Sequence, residues 1–443
     1  MDWTKLLNPS RIGAPDNAEQ PGRSAPVVDI DRITFSAPFR RLANKTQVHP
    51  LYDNDHVHHR LIHSIEVASV GRSLGVEVGQ WLVDEKAIDQ EARERICAIV
   101  QAACLAHDIG NPPFGHSGEA AIGGWFAERL AAPKGLMTEL APEDQAEFTA
   151  FEGNAQGFRI LTRTEMSVNR GGMRLSLGVL GAFTKYPCVA TVSAARPAPY
   201  CGLKKFGVFN NDYSQFNDIA DILDLPRETS ASGVWRRRHP LVFLMEAADD
   251  ICYNIMDLED AFTARDVSFE QAKTLLSALF LTPNIAYAPK SEAAEIAVLR
   301  AQAIRSAIHA CVEAFKANYT DLMKGAFSGS LIEASSKAAE FAAIKALAKA
   351  RIFKAPRKTE LEVFGRNVIY RVLDGLIPLL DDLATKDWDQ ERLSGYHQQL
   401  TRALNLDLAG IDNAYDALHA LTDFVSGMTD RYAVKTAEML YSR

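Results

Sequence analysis

Cysteine is scarce and shows no pattern. Six residues (Cys97, Cys104, Cys188, Cys201, Cys252 and Cys311) are scattered over 443 positions without a CxxC, which excludes a zinc ribbon or a disulfide framework and predicts reduced thiols. Long apolar runs are also missing. The longest, about Ile96 to Ala106, falls far short of the roughly 20 residues of a membrane helix. The opening MDWTKLLNPSRIG has no apolar core of the secretory kind, so a cytoplasmic protein with no membrane partner is expected. Positive charge is not in excess: 48 Lys+Arg against 56 Asp+Glu leave a net charge of -8. A general basic coat for nucleic acid is thereby excluded, and a polyphosphate must be held by a local cluster or a metal. There is no repeat period, heptad seam or low-complexity block beyond Ala-rich helices.

What remains is globular composition, 47% hydrophobic and 23% charged. Residues 1–28, rich in Pro, Ser, Asn and Gly, read as a flexible N-terminal arm, and the core starts near Asp29. Apolar residues recur at helical spacing from Leu61 to Leu74, with Gly75 as a C-terminal stop, and again from Glu91 to Ala106. HDIGNPPFGHSG then leaves the second helix as a loop. Helical patterning returns over 152–166 and 240–262. Between them, 186–234 carries Pro187, Pro197, Pro199 and the β-branched run Val189–Val192, which predicts loops with a small hairpin. After Pro283, helices are predicted over 291–324, 331–351, 365–384, 390–404 and 412–441. The fold is predicted to be mainly α, with a core over 29–275, a loop-rich insertion near 186–234, and a helical C-terminal region over 276–443 packed on the core.

The eleven histidines are unevenly placed. His49, His56, His58, His59 and His63 precede or occupy the first helix, while His107 and His116 flank the Pro/Gly loop. The adjacent His107-Asp108 can offer an imidazole nitrogen and a carboxylate oxygen to one divalent cation, but needs further ligands. Alone, the dipeptide reads more readily as an Asp capping a turn beside a half-buried His. Its company changes the weighting: His63 upstream, and Asp249 and Asp250 interrupting the apolar helix LMEAADDICYNIMDLEDA. A carboxylate buried on such a face demands a metal or a cation. Asp249, Tyr253 and Asp257 follow one another at four-residue spacing and share a face. His116 and Glu119, three apart, are close enough for the carboxylate to orient the imidazole.

His63, His107-Asp108 and Asp249, in this order, resemble the H…HD…D signature of the HD-domain phosphohydrolases. The stretches DRITFSAPFRRLANKTQV, NDHVHHRLIHSIEVA, AHDIGNPPFGHSGE, FEGNAQGFRIL and LMEAADDICYNIMDLEDA resemble the deoxyguanosinetriphosphate triphosphohydrolase branch over about residues 29–262. The resemblance implies an HD-domain helical core in which His63, His107, Asp108 and Asp249 are ligands of one divalent metal ion per subunit, with Asp250 the alternative to Asp249. The two-nitrogen, two-oxygen donor set suits Mn²⁺, Mg²⁺, Fe²⁺ or Zn²⁺ alike. It further implies His116 and Glu119 as the catalytic pair, and Arg60 and Lys185 as phosphate clamps, for which Arg offers a planar fork of donors and Lys a point charge. Gln47 would contact sugar and base, with Tyr253 and Asp257 at the sugar selecting deoxy over ribo. His58 and His59 read as surface or subunit-contact residues rather than ligands, and Lys204-Lys205 and Arg236-Arg237-Arg238 as solvated faces or subunit contacts. Val57-His58-His59 and Gly153 depart from the branch pattern.

The expected activity is hydrolysis of a deoxynucleoside triphosphate (dNTP) at the α-phosphorus, giving deoxynucleoside and inorganic triphosphate. Two other readings stand beside it: a deoxynucleoside 5'-monophosphatase, and a non-catalytic nucleotide sensor or nucleic-acid-binding assembly. The resemblance also implies a homo-oligomer, often a hexamer, with a nucleotide effector; a single-stranded DNA partner is the less favoured reading of the Lys204-Lys205 and Arg236-Arg237-Arg238 runs.

Overall fold

The computed structural model describes residues 1–13, 22–46, 59–280, 290–352 and 356–441. At its centre, helix Arg60–Asp84 lies along helix Gln90–Ala106, and helix Val242–Thr263 crosses both. The first of these does not stop at Gly75. Gly71, Gly75 and Gly79 are spaced one turn apart on the face toward the second helix. A Cβ at Gly75 would stand 3.1 Å from Cys97 Cα, and one at Gly71 would stand 2.4 Å from Cys104 Sγ. The glycines therefore permit close helix packing, and the area buried offsets a propensity cost of about 1 kcal/mol each. Asp89 caps the second helix by accepting from the Ala92 N–H at 2.8 Å.

The N-terminal residues up to Gly13 are not an arm. Trp3, Leu6 and Leu7 are buried in the core, the Trp3 indole donates to the Tyr319 hydroxyl at 2.9 Å, and Arg11 is buried against Asp29. Composition pointed the other way because these few anchors are embedded in Pro- and Ser-rich sequence. Within the insertion, Arg227–Ser230 and Gly233–Arg236 pair antiparallel as the expected hairpin. Val189–Val192 is not a strand, however: it leads into helix Ala190–Ala195, where Ala190 and Val192 are buried. Tertiary packing overrides β-branched preference there.

In the C-terminal third, helices run over Glu292–Ala317, Tyr319–Lys324, Ala338–Leu347, Pro356–Thr385, Gly395–Leu404, Ala414–Ser426 and Asp430–Tyr441. The helix expected over 412–441 is thus two, parted at Gly427–Thr429. A seam of buried polar contacts joins this region to the core. Arg159 forks onto Asp423 at 2.9 to 3.1 Å, and Glu147 accepts from Tyr415 OH at 2.6 Å and pairs with His419 Nε2 at 2.9 Å. Among the described residues no helix is long and apolar enough to cross a membrane.

Candidate active site

One cavity of about 360 Å³ gathers most of the residues singled out above. Arg60, His63, His107, Asp108, His116, Lys185, Asp249, Asp250 and Tyr253 line it. The first helix supplies Arg60 and His63, the end of the second supplies His107 and Asp108, and the crossing helix supplies Asp249 and Tyr253. Candidate ligand atoms of His63, His107 and Asp249 lie within 4.8 Å of one another. His63 Nε2 is 3.1 Å and His107 Nε2 3.6 Å from Asp249 Oδ1, and Asp108 Oδ1 is 3.6 Å from His107 Nε2.

The donors fit a cation. His107 Nδ1 is 2.6 Å from the Cys104 carbonyl, which makes it the N–H, and Nε2, buried and without a hydrogen-bond partner, is the atom that can face a cation. Burial opposes ionisation of both carboxylates. For Asp108 the Arg60 guanidinium, 2.7 Å away, together with His107 and His63, outweighs it and lowers the pKa to about 2. Asp249 is held well below the usual carboxylate range by His107, His63 and Lys185. Asp250 turns elsewhere: its Oδ1 is 3.6 Å from Lys345 Nζ, and burial pushes its pKa up to about 6. The neighbour of the two histidines is therefore Asp249.

Gly115 starts the helix His116–Leu130 at φ +60°, and a Cβ there would stand 2.6 Å from Arg60 Nη2. Only glycine lets the loop close over the arginine. His116 Nδ1 then meets Glu119 Oε2 at 2.7 Å, with the imidazole 81% exposed and the carboxylate 9%. Glu119 Oε1 accepts from the Gly153 N–H at 2.8 Å, so the unexpected glycine of FEGN brings a backbone donor up to the dyad. This pairing with Glu119 raises the His116 pKa.

Lys185 Nζ lies 3.3 Å from Glu246 Oε1, and the same carboxylate takes Arg238 at 2.9 Å. Arg238 also donates to the Lys185 carbonyl at 2.7 Å. Arg236 and Arg238 are accordingly not solvated faces: they are 3% and 1% exposed, while Arg237 stacks 4.6 Å from the Tyr200 ring centre and 4.8 Å from that of Trp235. Ion pairs and aromatic faces absorb the charges. Lys204 is exposed as expected, whereas Lys205 is half-exposed and lines the cavity, with Glu152 2.9 Å away. Asp257 is not in the main cavity but lines a small adjoining one, with Tyr253 between the two. Gln47, His49, His56 and His58 lie outside the described residues. Sequence reading also missed Asn154, Tyr186 and Glu362 at the cavity. Glu362 arrives from the C-terminal region, and nothing in its local sequence marks it.

The HD domain family model matches residues 60–144, which spans His63, the His107-Asp108 pair and the His116–Glu119 dyad. The deoxyguanosinetriphosphate triphosphohydrolase-like protein of Pseudomonas aeruginosa (strain LESB58) is 39% identical over 464 residues, covering 100% of this chain and 99% of its own. The chain belongs to the deoxyguanosinetriphosphate triphosphohydrolase family. A protein of the same description from Synechocystis is 36% identical over 99% of both chains. The deoxyguanosinetriphosphate triphosphohydrolase of Yersinia pseudotuberculosis is 31% identical over 98% of this chain and 97% of its own. As a member, the chain is an HD-domain phosphohydrolase, mainly α, with a His/Asp cluster of the divalent-metal kind.

Proposed function

We propose that the protein hydrolyses deoxynucleoside 5'-triphosphates at the α-phosphorus, releasing deoxynucleoside and inorganic triphosphate. The observation that carries this reading is a single cavity lined both by the His63, His107, Asp249 cluster and by His116, which Glu119 holds from behind. A pure nucleotide sensor has no need of both a metal site and a general acid. His63, His107, Asp108 and Asp249 would hold Mn²⁺, Mg²⁺, Fe²⁺ or Zn²⁺. When bound, such an ion offsets charge on the reacting phosphoryl group and lowers the pKa of water.

The chain's own residues supply the rest. His116, protonated and oriented through Nδ1 by Glu119, gives a proton from Nε2 to the departing 5'-oxygen. Arg60 and Lys185, joined by Lys205, offset the charge of the triphosphate. Tyr253 lies against the sugar and Gln47 contacts sugar and base; Asp257, in the adjoining cavity behind Tyr253, is not placed to reach the substrate. Assembly as a homo-oligomer, a hexamer by family, and a nucleotide effector belong to the same reading, supported by family membership. Ion-exchange chromatography of products from Mn²⁺-loaded protein with each of the four dNTPs and GTP tests it. Intact triphosphate from dNTPs is expected, whereas orthophosphate from dNMP alone would replace the reading with the monophosphatase.

A further inference from the structure

The loop that presents His116 is held from behind by groups without a role so far. Phe114 sits at φ +63° immediately before Gly115. A bulky residue is a strained outlier there, and persists only where its surroundings over-determine it. Three contacts from the C-terminal region do so. Asp430 Oδ1 accepts the Phe114 N–H at 3.0 Å. Gly365 makes room for the ring, since a Cβ there would stand 2.7 Å from Phe114 Cγ. Ser117 Oγ donates to the Glu362 carbonyl at 3.3 Å.

The other oxygen of Asp430 accepts both the Thr46 N–H, at 3.1 Å, and the Thr46 hydroxyl. Next to Thr46, Lys45 Nζ donates to the Asn111 carbonyl at 2.6 Å and to the Ser426 carbonyl at 2.7 Å. The Asn111 side chain in turn donates to Asp108. Asp430 and Lys45 are 2% and 3% exposed, so neither group exchanges these partners for water.

We propose that Asp430 and Lys45 are positioning residues that fix both ends of the 111–116 loop, placing His116 against Glu119 and Asp108 beside His107. The C-terminal helices thereby set turnover as well as burying apolar surface. The kinetic part of this claim rests on the triphosphohydrolase reading; the geometric part does not.

The test compares wild type, Asp430→Asn and Lys45→Met. Asn keeps the shape of Asp430 but cannot accept on both sides. Met keeps the stem of Lys45 but leaves the buried Asn111 and Ser426 carbonyls without their donor, so Lys45→Met is expected to fold with a melting temperature a few degrees below wild type. In both variants kcat for dNTP hydrolysis should fall on the order of tenfold or more, the size of a small misplacement of catalytic groups, with KM within about twofold. Acylation of His116 by diethyl pyrocarbonate, followed against pH by peptide mass spectrometry, should show its pKa falling back toward the ordinary histidine value. Should wild type release no triphosphate, the activity reading fails and the acylation profile alone decides the positioning claim. Should Asp430→Asn fail to fold, Lys45→Met decides it. A folded Lys45→Met with wild-type kcat and an unmoved His116 profile overturns it.

Discussion

Replacing Glu119 by Gln tests the dyad with the least disturbance of shape. The carboxylate accepts on both sides, from His116 at 2.7 Å and from the Gly153 N–H at 2.8 Å. An amide has one oxygen and one NH₂, so either the imidazole N–H or the Gly153 N–H must face a donor. If Gly153 keeps the oxygen, His116 loses its charge-assisted bond, generally about 1.5–3 kcal/mol. His116 is 81% exposed, so solvent screening argues for the low end, which corresponds to about tenfold in kcat. The pH dependence carries the sharper signature. Glu119 raises the His116 pKa, which keeps the general acid protonated to higher pH. Removing the charge should move the alkaline limb of kcat to lower pH, making the loss larger at pH 8 than at pH 6. Rates of triphosphate release from pH 5.5 to 9.5, with melting temperature as a folding control, provide the assay. A variant profile that superimposes on wild type would refute the argument that Glu119 acts through His116.

His116→Ala is expected to lose turnover by about 10²–10⁴-fold while binding metal with wild-type stoichiometry, checked by calorimetric Mn²⁺ titration. His107→Ala should lose that binding, and chelation of wild type should abolish activity until the ion is restored. Lys205→Met should raise KM for dNTP more than it lowers kcat, because it removes a charge facing the phosphates. Gly75→Leu should cost about 1–3 kcal/mol in urea melts through overpacking, since even a Cβ would stand 3.1 Å from Cys97 Cα.

The residues legible in the sequence were those whose chemistry is costly to misplace. His63, His107, Asp108 and Asp249 stood out because carboxylates and imidazoles interrupt apolar helix faces, and the structure brings all four to one cavity. The long helices were legible for the same periodic reason. Lys205, Arg236 and Arg238 were misread because a run of charges looks alike whether it meets water or carboxylates of its own chain; the Glu152, Asp221 and Glu246 that pair with them are placed by the fold. Gly75 was misread because a glycine that ends a helix and one that admits a neighbouring helix are identical in sequence. Trp3 and Leu6 were lost in a segment whose overall composition is polar.

The seam between core and C-terminal region bears on how such a gene can change. Glu147 and Arg159 on one side find Tyr415, His419 and Asp423 on the other, more than 250 positions later in the chain. A chimera joining this core to a relative's tail would inherit buried charges without counterparts unless both halves of each pair were exchanged together. Recombination breakpoints between them should be rare among functional descendants, and the tail should drift in step with the core rather than as an independent module.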